Sequence, residues 1–173
     1  ELAEAVTDET ILVSVMYVNN EIGCVEPIAE IAKRIKEKNP KVLFHVDAIQ
    51  AYGKMKIQPA KEGIDLLSVS GHKIHGPKGS GFLYIKNKTK IKPILHGGGQ
   101  EKGMRSGTEN VPAIAGLGQA AKDMYANLEV NRKHLFALKE RLAERLSKVE
   151  GVTLNGIPKE GIPATAPHVL SVS

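Results

Sequence analysis

Two residues of this chain are best placed to do chemistry, a lysine and an aspartate, each at the end of a short apolar run. Ile64 to Val69 leads into Ser70-Gly-His-Lys-Ile-His-Gly-Pro-Lys-Gly79, and a second apolar run, Phe82 to Ile85, follows. Apolar runs this short, with turn residues at both ends, read as buried strands. Lys73 then stands where a buried sheet ends and a glycine-containing loop begins. A lysine held there is partly desolvated, which lowers its pKa and makes its amine a usable nucleophile for a Schiff base. Taken alone, such a lysine is as simply read as a solvated surface charge. A second stretch, Val46-Asp47-Ala48-Ile49-Gln50, argues for the chemical reading. It is a buried strand ending on a carboxylate, and an unpaired carboxylate is costly there. The plainer role for Asp47 is to cap a turn.

The elements that position these residues follow from the hydrophobic pattern. Ile11 to Val18 is nearly continuous in apolar residues and reads as a strand covered on both faces. Pro27 opens a helix whose Ile28, Ile31, Ala32 and Ile35 fall at helical spacing, and Asn39-Pro40 stops it. Val42 to Asp47 is the next strand. Strand, helix, strand is a βαβ unit, which implies a parallel sheet and a right-handed crossover. Ligands of such sheets collect beyond the carboxyl ends of the strands. Asn20, Asp47 and Lys73 each lie at or just past such an end, so three strands aim chemistry at one rim. Phe82 to Ile85 and Lys92 to Leu95 bracket a lysine-rich turn and read as an antiparallel pair. His96-Gly-Gly-Gly99 is either a plain linker or a run of N–H groups suited to an anion. Val111 to about Val149 is helical, with a bend or break between Asn127 and Asn131. His168 to Ser173 reads as a last strand. Glu1 to Val6 reads as the tail of a helix, and both ends look cut from a longer chain.

Composition narrows the class. The 173 residues are 42% hydrophobic and 25% charged, ordinary for a globular domain with a real core. No apolar run approaches the ~18 residues that a membrane span needs. One cysteine rules out an internal disulfide framework and fits a reducing compartment. The net charge of +5 is spread over helices and turns, and aromatics are only 4%, so no stacking platform for nucleic acid is apparent. No metal-ligand cluster is expected.

Four blocks carry a resemblance. Val18-Asn-Asn-Glu-Ile-Gly23, His45-Val-Asp-Ala-Ile-Gln50, Ser70-Gly-His-Lys-Ile-His-Gly-Pro-Lys-Gly79 and His96-Gly-Gly-Gly-Gln-Glu-Lys-Gly-Met-Arg-Ser-Gly-Thr-Glu-Asn110 resemble the pyridoxal 5'-phosphate (PLP) enzymes of the class V aminotransferase fold. The Ser-Gly-His-Lys block marks the class. The Gly-Gly-Gly and Met-Arg-Ser-Gly-Thr run narrows the likeness to the cysteine desulfurases, and the likeness covers nearly the whole chain.

The resemblance implies an α/β fold, PLP-dependent transferase fold type I. Residues 1–125 would be part of the large domain with its mostly parallel sheet. Residues 126–173 would be a linking helix and the start of the small C-terminal domain, both domains incomplete. Lys73 would hold the cofactor aldehyde and move the substrate's α-proton. Asp47 would face the ring nitrogen, and Gln50 would donate to the ring's phenolic oxygen, with Asn20 near that oxygen and the substrate carboxylate. Ser70 and His72 would bind the phosphate. Thr108 would reach the phosphate of the other subunit, which implies a homodimer. His75 is read as an incidental loop residue. His45 is read as a packed strand residue, one position out of phase with Asp47. Cys24 stands where the family has a small or apolar residue, and the family's sulfur-accepting cysteine lies beyond Ser173. The family's ring-stacking histidine lies before Glu1, and its arginine for the substrate carboxylate comes later in the chain.

The implied activity is conversion of L-cysteine to L-alanine, with sulfur passed as a persulfide to a sulfur-acceptor or iron–sulfur scaffold protein, or to tRNA thiolation, in the cytoplasm. No membrane and no direct nucleic-acid partner are expected. The alternatives are a selenocysteine lyase, or an inactive piece or scaffold that lacks the nucleophile.

Overall fold

The computed structural model describes residues 1–173. Its centre is a four-stranded sheet of β1 (Leu12–Met16), β2 (Leu43–Asp47), β3 (Leu66–Ser70) and β4 (Gly81–Ile85), in that spatial order. β1, β2 and β3 are parallel, and β4 is antiparallel to β3. Helix α1 (Ile28–Lys38) crosses from β1 to β2. The expected βαβ unit and mostly parallel sheet are therefore present.

The two faces of the sheet differ because residue types alternate along the strands. Phe44, Val46, Leu67 and Val69 point to one side and pack with Ile28, Ala32 and Ile35 of α1, all buried. On the other side Ser14, His45 and Ser68 form a hydrogen-bonded row across three strands. Ser14 Oγ is 2.7 Å from His45 Nδ1, and His45 Nε2 is 2.8 Å from Ser68 Oγ. His45 is thus two residues before Asp47 on the same face of β2, not out of phase with it as the sequence reading had it.

At the amino ends of β2 and β3 a buried carboxylate ties the layers together. Asp65, 4% exposed, accepts hydrogen bonds from Lys36 Nζ at 2.7 Å, Lys86 Nζ at 3.1 Å and the buried Phe44 N–H at 3.0 Å. These partners come from α1, from the residue after β4, and from β2. Burial alone would raise the Asp65 pKa. The hydrogen bonds from Lys36, Phe44 and Lys86 outweigh it and hold the carboxyl below its ordinary value.

α2 (Val111–Ala126) begins at Asn110, whose Oδ1 accepts from the Ala113 N–H at 3.2 Å. It ends at Asn127, and α3 (Leu128–Leu146) follows, so the expected break falls there. Tyr52 joins α2 to the sheet: its ring packs edge-on against Phe82 at 5.3 Å and Tyr125 at 5.2 Å. Past α3, β5 (Leu154–Asn155) pairs antiparallel with β6 (Ser171–Val172) as a separate two-stranded sheet. No helix is long and apolar enough to cross a membrane.

Three expectations are corrected. Lys92 to Leu95 is not a strand; β4 pairs with β3 instead. Pro93 removes one ladder donor from that short segment, and Ile94 is 88% exposed. The β3–β4 pairing is close enough that a Cβ at Gly81 would run into the Val69 carbonyl oxygen. β1 is an edge strand with Leu12 exposed, not covered on both faces. The first residues form one helical turn of 3-10 type, Leu2–Ala5. The last strand is only Ser171–Val172.

Replacing Asp65 with Ala is expected to cost about 2–4 kcal/mol, because it strands the Phe44 N–H and two lysines at once. Asp65→Asn keeps an acceptor for Phe44 and should cost less. Urea or thermal midpoints of the two variants check both the size and the order.

Candidate active site

The carboxyl ends of β1, β2 and β3 share one rim. In the ladder Met16 pairs with Asp47, and Asp47 with Ser68. The chain leaves β3 directly into a 3-10 turn, Gly71–Ile74, which carries His72 and Lys73. Ile74 is 1% exposed and anchors this turn in the interior, while His72 and Lys73 face solvent, so the partial desolvation expected of Lys73 at a strand end is not found. His75 closes it in the left-handed region, with φ 66°. Ser70 Oγ and His72 Nδ1 are 2.8 Å apart. That contact leaves His72 Nε2 uncommitted.

Asp47 ends β2 and turns the chain. Its Oδ1 accepts from the Ile49 N–H at 2.9 Å, so the turn-capping role is real, and Oδ2 is left without a protein partner. The turn carries Gln50 inward. Gln50 is 8% exposed, and its Oε1 lies 3.3 Å from His168 Nε2. Its amide nitrogen has no protein partner. One turn further on, Lys54 Nζ donates to the Lys73 carbonyl at 2.9 Å. Gly53 makes this approach possible. It has φ +74°, and a Cβ there would lie 2.9 Å from Ile74 Cγ2. Thus Asp47, Gln50, Ser70, His72 and Lys73 sit on two adjacent strand ends with a carboxylate oxygen, an amide donor, an imidazole nitrogen and an amine uncommitted.

Comparison with known proteins decides the family. The aminotransferase class V family model matches residues 1–169. The chain belongs to the aminotransferase class V family. It is 49% identical over 160 residues to cysteine desulfurase IscS of Methanosarcina thermophila, covering 92% of this chain and 39% of that protein. The fold matches a solved NifS-like protein with TM-score 0.92 at 41% identity, covering 99% of this chain and 46% of that one. It also matches SspA, solved in complex with cysteine, with TM-score 0.66 at 43% identity over 69% of this chain and 35% of that one. The chain spans about 40% of the length of the curated relatives it matches.

Other expected residues of this class V chain are less engaged. Asn20 is exposed and donates from Nδ2 to Glu21 Oε1 at 2.9 Å. Its neighbour Asn19 holds the turn, accepting from the Glu21 and Ile22 N–H groups at 2.9 and 3.0 Å. Thr108 follows a loop that hydrogen-bonds within itself: Ser106 Oγ donates to the Gly98 carbonyl at 2.8 Å and Gly107 N–H to Gln100 Oε1 at 3.1 Å. No hydrogen bond joins Thr108 to Lys73, Asp47 or Gln50. Cys24 is half-buried, and its thiol donates to the Gly156 carbonyl at 3.4 Å. An open cleft of about 630 Å³ between Ile74–Pro77 and α2 adjoins the lysine turn but includes none of Asp47, Gln50 or Lys73.

Two residues of the site escaped the sequence reading, Lys54 and His168. Burial, and then the nearby charge of Lys73, pull Lys54 down to about 8. Burial, and then Lys54, Lys139 and Lys73, push His168 down to about 4. His45 is also lowered by burial, against the pull of Asp47.

The Lys54 shift is directly measurable. The pH dependence of amine acylation, followed by peptide mass mapping of cofactor-free protein, should place the Lys54 midpoint near 8, against 10.5 for an ordinary lysine. Lys73→Met removes a like charge and should move that midpoint up. The sign for stability follows. Between about 8 and 10.5 the unfolded chain holds a proton that folded Lys54 has released, so this group's contribution to stability rises with pH across that window.

Proposed function

We propose that the protein containing these residues binds PLP and acts as a cysteine desulfurase, converting L-cysteine to L-alanine and passing the sulfur on as a persulfide. The observation that carries this reading is the uncommitted set on two strand ends, Asp47 and Gln50 beside Ser70, His72 and Lys73, in a chain 49% identical to a cysteine desulfurase. The donor set fits the cofactor. It offers an amine for an aldehyde, a carboxylate oxygen for a protonated ring nitrogen, an amide N–H for a phenolic oxygen, and hydroxyl and imidazole groups for a phosphate.

When bound, the cofactor supplies an electron sink that stabilises negative charge at the substrate's α-carbon. The protein's residues do the rest. Asp47 Oδ2 would hold a proton on the ring nitrogen, while Oδ1 is fixed by the Ile49 N–H. Gln50 orients the ring through its amide N–H. Ser70 and His72 would bind the phosphate together: with the Ser70 hydroxyl donating to His72 Nδ1, the imidazole carries its proton on Nε2 and would donate it to the phosphate. Lys73 holds the cofactor at rest. The same Nζ would take the substrate's α-proton and return it, a role suited to a lysine on a short, anchored turn. Asn20 lies on the same rim and is assigned to the substrate carboxylate side. Thr108 is assigned to the phosphate of a second subunit, making the protein a homodimer. Cys24 is assigned no part in sulfur transfer, since its thiol is turned to the Gly156 carbonyl.

We assign residues 1–125 to the large domain and 126–173 to the linking helix and the start of a small one. The onward partner is a sulfur-acceptor or iron–sulfur scaffold protein, and the compartment is the cytoplasm.

In the full-length protein, Lys73→Ala should lower sulfide release from cysteine by about 100-fold or more and abolish the visible absorbance of lysine-bound cofactor. Unchanged release would sink the proposal. Parallel turnover of selenocysteine distinguishes a desulfurase from a lyase for that substrate.

A further inference from the structure

We propose that His168, from the far end of the chain, is a positioning residue that sets which end of the Gln50 amide faces the cofactor. The inference rests on the PLP-binding reading of the site. It starts from an orphaned atom. His168 Nδ1 is buried with no hydrogen-bond partner, one of only two such side-chain atoms in the structure, the other being Glu62 Oε2. The ring's other nitrogen, Nε2, lies 3.3 Å from Gln50 Oε1, across 118 residues of sequence.

The contact can be made in two ways. In one, His168 carries its proton on Nε2 and donates to Gln50 Oε1, leaving Nδ1 as a bare lone pair. In the other, His168 Nε2 accepts from the Gln50 amide nitrogen, and the proton sits on Nδ1. The second arrangement leaves a buried N–H without an acceptor. Orphaned buried N–H groups are rarer than under-satisfied acceptors, so the first arrangement prevails. A doubly protonated ring would create the same orphan N–H and place a cation near Lys54, Lys139 and Lys73, the charges that face it. Burial and those lysines keep the imidazole neutral.

The consequence falls on Gln50. With Oε1 taken by His168, the amide presents its N–H2 end to the rim where Asp47 and Lys73 lie. A flipped amide would present an oxygen to the cofactor's phenolic oxygen, acceptor against acceptor. Gln50 is 8% exposed, and no other hydrogen bond to its side chain fixes the amide, so His168 alone selects the orientation. The segment entering β6 thereby reports directly to the ring.

The experiment uses the full-length protein, wild type, His168→Leu and His168→Asn. The first readout needs no cofactor: side-chain ¹⁵N spectra of the apo wild type should show His168 neutral, protonated on Nε2 and bare at Nδ1. The second is the pH midpoint of the bound cofactor's visible absorbance. Loss of a donor to the phenolic oxygen disfavours its negative charge, so His168→Leu should move the midpoint up by roughly 0.5–1 pH unit. His168→Asn keeps an N–H donor and should restore the wild-type value, which a purely space-filling role would not produce. An Nδ1-protonated His168 in the apo wild type overturns the proposal, as does a folded His168→Leu with an unchanged midpoint. If His168→Leu does not fold, the ¹⁵N result decides. Failure of the wild type to take up PLP would instead count against the cofactor-binding reading, and the apo spectra would still test the His168–Gln50 arrangement.

Discussion

The site depends on the parallel register of β1, β2 and β3. That register brings the end of β2 beside the end of β3, so a carboxylate and a lysine about 26 residues apart in sequence become neighbours on one rim. Parallel pairing demands crossovers and gives no local hairpin to fix alignment. The alignment is set at the opposite rim by Asp65. Its backbone N–H donates to the Phe44 carbonyl while its side chain receives the Phe44 N–H and two lysines. A one-residue slip would break that cluster and turn Asp47 to the buried face. The strands are tied by charge at one end, and the reactive groups are left free at the other.

Charge distribution separates the two ends further. Asp65 balances Lys36 and Lys86. Around the site, Lys54, Lys73, His168 and Lys139 approach one another without a carboxylate among their hydrogen-bond partners. Lys139 is 5% exposed and held only by the Thr165 hydroxyl and the Ala166 carbonyl, and burial lowers its pKa. Burial is the larger cause of the depressed pKa values of Lys54 and His168, and this crowding adds to it. An anionic ligand would relieve such crowding, and the phosphate of the proposed cofactor is anionic.

Much of this was legible in the sequence, for physical reasons. Apolar runs ending in polar residues fixed three strand ends, and helical spacing with Pro27 and Asn39 fixed α1 between them. From there the rim carrying Asp47 and Lys73 followed. Partner choice was less legible. Pro93 is a local sign that Lys92 to Leu95 makes a poor ladder, but nothing local says that β4 pairs with β3, where the backbones approach closely at Gly81. His45 shares a face with Asp47 because residues two apart on a strand do. Lys54 and His168 carried no local signal. Lys54 owes its setting to the positive φ of Gly53, and His168 meets Gln50 only through the tertiary fold.

The most direct test of the central claim is borohydride reduction of the full-length holoprotein, followed by mass mapping of the lysine that retains the cofactor. The account predicts a single modified residue, Lys73. Retention on Lys54, the amine with the depressed pKa nearby, or on any other lysine would contradict it, as would a folded protein that retains no cofactor at all.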